Sequence, residues 1–311
     1  ELLRQQALSA LPGDGRVLIQ ADGQVKIVTP QVLGRLHYSE PCPLGESPSP
    51  ARVVLPIEPP PRLLAISASG RIALLRWEFA GQQPGSLERF LPTGLEGDPV
   101  VTITRLPNQA SEDMSLGLLS SDGRFKRLPL AEILDLSGRA TSVVKLKEGI
   151  TLNSAVICRD HQDLLLFSDI GRVLRIPIRE TTLPLMGRLA QGPMTMRLLP
   201  GEGLIGALCP EQPSVLLVSR EGRISRLDCS SLRRSERGDL GSIGVKISSD
   251  QDRIAGVAEA RGLIGVISSQ ERHGRLDALS YDSRNPGEHF QDQLALRDGE
   301  TVTEIIPALS D

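Results

Sequence analysis

Aromatic residues are scarce in this chain: five Phe, two Tyr and one Trp, 3% of 311 residues. A core must therefore be built from Leu, Ile and Val, and too few rings exist to stack bases along a nucleic-acid single strand. Long apolar runs are missing too. None approaches the roughly 18 residues of a membrane span, and nothing at the start resembles a signal peptide. Cys42, Cys158, Cys209 and Cys229 stand far apart without a C-x-x-C pair, which points to packed, reduced thiols and away from a disulfide framework or zinc site. His37, His161, His273 and His289 have no partner at metal-ligand spacing. There is no G-x-S-x-G, Walker loop or G-x-G-x-x-G. Tyr38 and Tyr281 lie in loop-like contexts without the basic residues that a DNA-cleaving tyrosine would want. These absences predict a cytoplasmic chain with no catalytic centre, no cofactor and no membrane contact.

What is present is a repeat. Leu164–Pro177 (LLLFSDIGRVLRIP) reads as a β-hairpin, an apolar run, a turn with Asp and Gly, and a second run. Relatives of it occur at Val17–Pro30, Leu63–Arg76, Leu116–Pro129 and Val215–Asp228, with a decayed copy at Leu263–Leu279. The hairpin glycines, 23, 70, 123, 171, 222 and 274, are spaced by 47, 53, 48, 51 and 52 residues. Six near-equal periods of about fifty residues signify a radial or stacked β-array. After each hairpin comes a connection, then two further apolar runs around a polar turn, as in Val143–Cys158 and Ile243–Val257. The expectation is all-β: six blades of four short strands around an axis, with repeats near 14–62, 63–114, 115–162, 163–213, 214–261 and 262–311. A β-solenoid would need a much shorter period. Residues 1–13 read as a linker or short helix from an upstream domain, and Glu1, not being an initiating residue, suggests a piece of a longer protein.

Net charge is −3 but unevenly spread. Leu116 to Ile247 holds 19 Lys+Arg against 14 Asp+Glu, whereas the remainder holds 16 against 24. Arginine recurs in register. It follows the hairpin glycine as Arg71, Arg124, Arg172, Arg223 and Arg275, and stands four residues after it as Arg127, Arg175 and Arg226. The first set could cap turn carbonyls, pair with Asp122, Asp169 and Glu221, or face a partner; the second is expected to face the partner. Lys126 lies in the same strand as Arg127. The connections add Arg139, Arg188, Arg233, Arg234 and Arg237 beside glycines, where a guanidinium and backbone N–H groups can approach one phosphate together. On a radial array these positions form a stripe, and the candidate partner is double-stranded DNA held by its phosphates.

At these residues the chain resembles a known family. LLLFSDIGRVLRIPI, LMGRLAQGPMTMRLLPGEGLIGAL and RRSERGDLGSIGVKI look like repeats of the C-terminal domain of the type IIA topoisomerase A subunit, as in DNA gyrase and topoisomerase IV. The resemblance covers essentially Gly15 to Leu309. It implies a six-bladed β-pinwheel whose blades exchange strands and whose basic perimeter bends duplex DNA. It also implies a non-catalytic, monomeric domain and a cleaving tyrosine upstream of this chain. The implied partners are the rest of the A subunit, together with an ATPase B subunit, near the nucleoid. Gyrase carries a Gln-Arg-Arg-Gly-Gly-Lys-Gly box in the connection of its first repeat; here Arg35–Gly45 (RLHYSEPCPLG) has no such run. That departure points towards a topoisomerase IV-like or specialised paralogue. A protein-interaction propeller is the competing reading, although Gly-His and Trp-Asp signatures are missing.

Overall fold

The computed structural model describes residues 1–136 and 138–310. Six hairpins supply the first two strands of six blades: Arg16–Gln20 with Gln24–Val28, Arg62–Ser67 with Arg71–Leu74, Met114–Ser120 with Phe125–Pro129, Asp163–Ser168 with Arg172–Pro177, Ser214–Ser219 with Arg223–Asp228, and Leu263–Ser268 with His273–Asp277. A third strand pairs antiparallel with the first: Ala51–Pro56, Val100–Leu106, Leu152–Arg159, Leu204–Leu208, Ile254–Glu259 and Val302–Ile306. First strands read as nearly unbroken apolar runs because both faces are covered, and Met114–Ser120 is buried at all seven positions. Third strands of blades 2 to 6 pack in succession against one another, and Val53 of blade 1 shares a core cluster with Val100 and Ile103 of blade 2. The third strands thus lie towards the axis, and the opposite edge of each sheet is the perimeter. The result is a six-bladed β-propeller.

The fourth strand is where the sequence pattern misleads. The two apolar runs after each connection do not form a ribbon within their own blade. Only the second becomes the third strand. The segment before it, here termed the strap, crosses to the outer edge of the preceding blade. Gly85–Ser86 pairs with blade 1, Thr141–Ser142 with blade 2, Ser242–Ile243 with blade 4, and Ser283–Arg284 and Asp292–Gln293 with blade 5. On blade 3 the strap makes only single bridges, at Met194 and Leu185. Cys42–Gly45 of repeat 1 pairs with blade 6, which closes the ring. Ser47 Oγ donates to the His273 carbonyl at 3.0 Å, and an ion pair joins Arg52 to Glu304 across the same seam.

The hairpin glycines serve the straps as well as the turns. Gly123 and Gly171 have φ of 94° and 88°, the left-handed region that glycine enters freely. The Gly123 carbonyl accepts from Thr195 and Met196 of the strap, both at 3.0 Å, and that of Gly171 from Gly244 at 2.8 Å. A Cβ on Gly123 would stand 2.1 Å from the Met196 carbonyl oxygen. A serine ahead of the turn completes the unit: Ser67, Ser168, Ser219 and Ser268 are buried and accept through Oγ from the amides of Arg71, Arg172, Arg223 and Arg272.

Blade 6 corrects the register read from the sequence. Its turn residue is Glu271, at φ 57°, and Gly274 lies within the second strand. A non-glycine residue in this conformation is strained, so Glu271→Gly should raise the unfolding free energy by up to about 1 kcal/mol in urea titration. The shift of three residues makes Arg272 the residue after the turn and Arg275 the one four residues on.

Elsewhere, Leu2–Ser9 forms the expected N-terminal helix, with Ala7 buried and Leu8 and Leu11 against the core of blade 1. Arg4 Nε lies 3.2 Å from buried Glu78, whose carboxyl is pushed up by burial. A short helix, Pro30–Gly34, opens the first strap. The four cysteines are free, with Cys158 and Cys209 in thiol contact at 3.6 Å. Burial pushes the Cys229 thiol up to about 12.

Candidate nucleic-acid interface

The recurrent arginines do not project outward. Four residues after the turns of blades 3 to 6, Arg127, Arg175, Arg226 and Arg275 point along the seam between their own blade and the next strap. Arg127 has a side chain only 1% exposed; its Nε donates to the Leu183 carbonyl at 2.6 Å and its Nη1 to Asp160 at 2.7 Å. Arg175 donates from Nη1 to the carbonyls of Ser230 and Leu232, at 3.0 and 2.9 Å, and pairs with Asp163 at 2.7 Å. Arg226 donates to Ser214 Oγ and to the Tyr281 carbonyl, at 2.9 and 3.1 Å. Arg275 donates to the Glu40 carbonyl at 2.7 Å and lies over the Tyr38 ring. The expectation that Arg127, Arg175 and Arg226 face a partner is therefore corrected. A strap is a loop segment with few backbone partners of its own, and a guanidinium with five donors can satisfy several of its carbonyls at once.

Three of the arginines after the turn do the same work at the other end of the strap on their blade: Arg124 donates to Gly192, Arg172 to Leu240 and Arg272 to Leu44, in each case to a backbone carbonyl, whereas Arg71 donates to the Gly94 carbonyl of its own repeat. Arg223 instead stands 4.0 Å from Glu221. Arg272 also grips Glu300 with two hydrogen bonds, of 2.9 and 2.7 Å. That grip, with a further bond from Ser268, holds the Glu300 carboxyl down at about 2. A carboxyl depressed from its ordinary 4.5 contributes stability that is complete above pH 4.5 and is lost as pH falls from there towards 2. Acid titration followed by amide exchange should therefore show blade 6 protection falling through that window, and Glu300→Gln should flatten the profile.

Lys126, also expected at the interface, is buried, with Nζ donating to the carbonyls of Val143 and Arg188 at 2.7 and 2.6 Å. Burial brings its pKa down to about 8.

Many of the cations that remain in solvent are on the straps, although Arg52, Arg105 and Arg159 are exposed on third strands. Arg139, Arg188, Arg233, Arg234 and Arg237 are all exposed, and so are four that the sequence reading passed over: Lys145, Lys147, Arg197 and Lys246. Arg234 is held by Asp163 at 3.2 Å. Burial pushes the Asp163 carboxyl up, but hydrogen bonds from Arg234 and Arg175 outweigh it and keep the pKa below the ordinary value. Because straps are exchanged, the charge carried by repeats 3 to 5 sits on the edges of blades 2 to 4. The straps on blades 5 and 6 carry mainly exposed acids, Asp282, Glu288, Asp292, Glu40 and Glu46, beside the exposed Arg35 and Arg297. The perimeter is thus a basic arc beside an acidic one. Among the described residues no group of three or more His, Cys, Asp or Glu could hold a metal ion, and no helix is long and apolar enough to cross a membrane.

Comparison with known proteins bears on the same three repeats. The family model described as the DNA gyrase C-terminal domain, beta-propeller, matches residues 118–159, 162–211 and 213–260. The chain belongs to this family, the C-terminal domains of gyrase and topoisomerase IV A subunits. It is 30% identical over 239 residues to the A subunit of DNA topoisomerase 4 from Synechocystis, an alignment covering 70% of this chain and 26% of the relative. With the A subunit of DNA gyrase from Pseudomonas aeruginosa it shares 33% identity over 168 residues, 52% of this chain and 18% of the relative. The chain thus spans only about a quarter, or less, of the length of these relatives. Its fold is that of a solved DNA gyrase A C-terminal domain (TM-score 0.73, 18% identity, 95% of this chain and 99% of that one). It also matches a C-terminal domain of DNA topoisomerase IV (TM-score 0.75, 12% identity, 94% and 92%). In this chain the arginines that hold strap carbonyls, among them Arg127, Arg175, Arg226 and Arg275, are distinct from those exposed on the straps.

Proposed function

We propose that this domain binds duplex DNA along the basic arc and bends it, presenting the duplex to the rest of a topoisomerase A subunit working with an ATPase B subunit. The observation that carries this reading is the concentration of exposed cations, Arg139, Lys145, Lys147, Arg188, Arg197, Arg233, Arg237 and Lys246, on the outer straps of three consecutive blades. Cations on flexible stems reach phosphates without reading bases, so binding is independent of sequence. Screening confines each contact to about 8–10 Å, so the acidic arc does not hold DNA because its neighbour is basic. The duplex therefore follows part of the rim without completing a turn. The strap of repeat 1 supports this limit: Cys42–Gly45 is committed as a strand on blade 6, and Glu40 and Glu46 flank it. Both protein partners, the remainder of the A subunit with its ATPase B subunit, enter through family membership.

The test is titration with a duplex of about forty base pairs at several salt concentrations. Binding should weaken steeply, each neutralised phosphate adding about −0.9 to the log–log slope. A flat response between low and physiological salt, or a strong preference for one base sequence, would count against the proposal.

A further inference from the structure

The second strand of blade 3 buries an ammonium that the fold does not require. Counted from the turn residue, Lys126 corresponds to Ala73 in blade 2, Leu174 in blade 4, Ser225 in blade 5 and Gly274 in blade 6, all of them buried and uncharged, and to Lys26 in blade 1, which is only half-buried. A buried cation costs free energy unless it is paired. Among the described residues no carboxylate forms an ion pair with Lys126, whereas a leucine fills the same place in the next blade. The lysine therefore does something that Leu174 does not.

What it does is join two straps. Val143, whose carbonyl accepts at 2.7 Å, belongs to the strap of repeat 3 on blade 2. Arg188, whose carbonyl accepts at 2.6 Å, belongs to the strap of repeat 4 on blade 3. Each strap carries an exposed arginine, Arg139 on the first and Arg188 on the second. The same strand holds the second strap on either side of that point: Arg127 donates to Leu183 and Arg124 to Gly192. Gly192 lies so close that an added Cβ would stand 2.9 Å from the Lys126 amide nitrogen and from the Phe125 backbone.

We propose that Lys126 is a positioning residue for the rim: its ammonium locks the straps of repeats 3 and 4 together so that Arg139 and Arg188 meet one duplex as a pre-set pair. Lys126 itself never touches the DNA. Phosphates along a duplex are regularly spaced, and two arginines whose separation is set beforehand lose less conformational freedom on binding than two on independent loops. The inference rests on the duplex-binding reading above, and it adds a specific relation between the two loops.

The test is a mutant cycle in the full chain, using a duplex of about forty base pairs. Lys126→Leu imitates blade 4 and should keep the circular dichroism spectrum of the wild type. It should weaken binding by roughly three- to tenfold at low salt and flatten the salt slope towards that of Arg139→Ala/Arg188→Ala. Added to that double variant, Lys126→Leu should cause no further loss, since the arginines it positions are gone; a merely structural lysine would show its effect on both backgrounds. Amide exchange should speed up at residues 140–144 and 186–192 and not in blades 5 and 6. Gly192→Ala leaves the ammonium in place and displaces the strap, so it should give the same loss of binding and serves if Lys126→Leu folds poorly. A wild type that fails to bind duplex would overturn the reading of function and the positioning role with it. If the wild type binds, binding as tight as the wild type's by both Lys126→Leu and Gly192→Ala, or a loss fully additive with the double variant, overturns the role of Lys126 alone.

Discussion

Arg127→Met should lower the unfolding free energy by about 3 kcal/mol, measured by urea denaturation, and should weaken DNA binding by the folded fraction no more than Lys126→Leu does. Removing one member of a buried ion pair costs about 3–5 kcal/mol because the other charge is left unpaired. The figure sits at the low end because Asp160 is 36% exposed and regains water once its partner is gone. The Leu183 carbonyl also loses its donor, and the strap of repeat 4 its anchor. Arg226→Met should cost less, about 1–2 kcal/mol, since its partners are the neutral Ser214 hydroxyl and the Tyr281 carbonyl. A stable Arg127→Met protein with much weakened duplex binding would mean that the guanidinium turns outward when DNA is present.

The opposite result is expected for the loops. Replacing Arg139, Arg188, Arg233 and Arg237 together by Ala removes four exposed side chains that make no ion pair among the described residues. Stability should change by no more than about 0.5 kcal/mol for each site. The salt slope of duplex binding should become shallower by three to four units, roughly 0.9 for each phosphate no longer neutralised. The same change at Arg35 and Arg52, exposed cations on the acidic side, should alter the slope by less than about one unit. If the Arg35 and Arg52 variant were the more damaged, the duplex would lie on the other arc. Together the two experiments separate arginines that hold the propeller from arginines that could hold DNA.

The six hairpins were legible because a hairpin is a local object. Two apolar runs around a turn of glycine and aspartate state their own register, and a period near fifty residues states the architecture. The one slip was in blade 6, where glycine is absent from the turn: the chain uses Glu271 at φ 57°, and the nearest glycine, Gly274, was taken for it. That misplaced Arg272 and Arg275 by three residues and hid the fact that four blades carry the same seam arginine. The serine ahead of the turn in four blades was visible as a letter and silent as a signal, because its role is a hydrogen bond to an amide four residues on.

What the sequence by itself determined, then, was the unit, its number and the arc over which positive charge collects. Only the tertiary structure decided which arginines remain free to act. Periodicity records that Arg127, Arg175 and Arg226 are equivalent, but not whether an equivalent position faces solvent or a neighbour. That depends on strand exchange, a contact between residues more than fifty positions apart: Arg127 reaches Leu183, and Arg226 reaches Tyr281. Once a strap lies across a blade's outer edge, its unpaired carbonyls need donors, and a guanidinium spent on them cannot also serve a phosphate. The arginines on the strap's outer side, Arg139, Arg188, Arg233 and Arg237, have no such carbonyls to satisfy and remain in solvent.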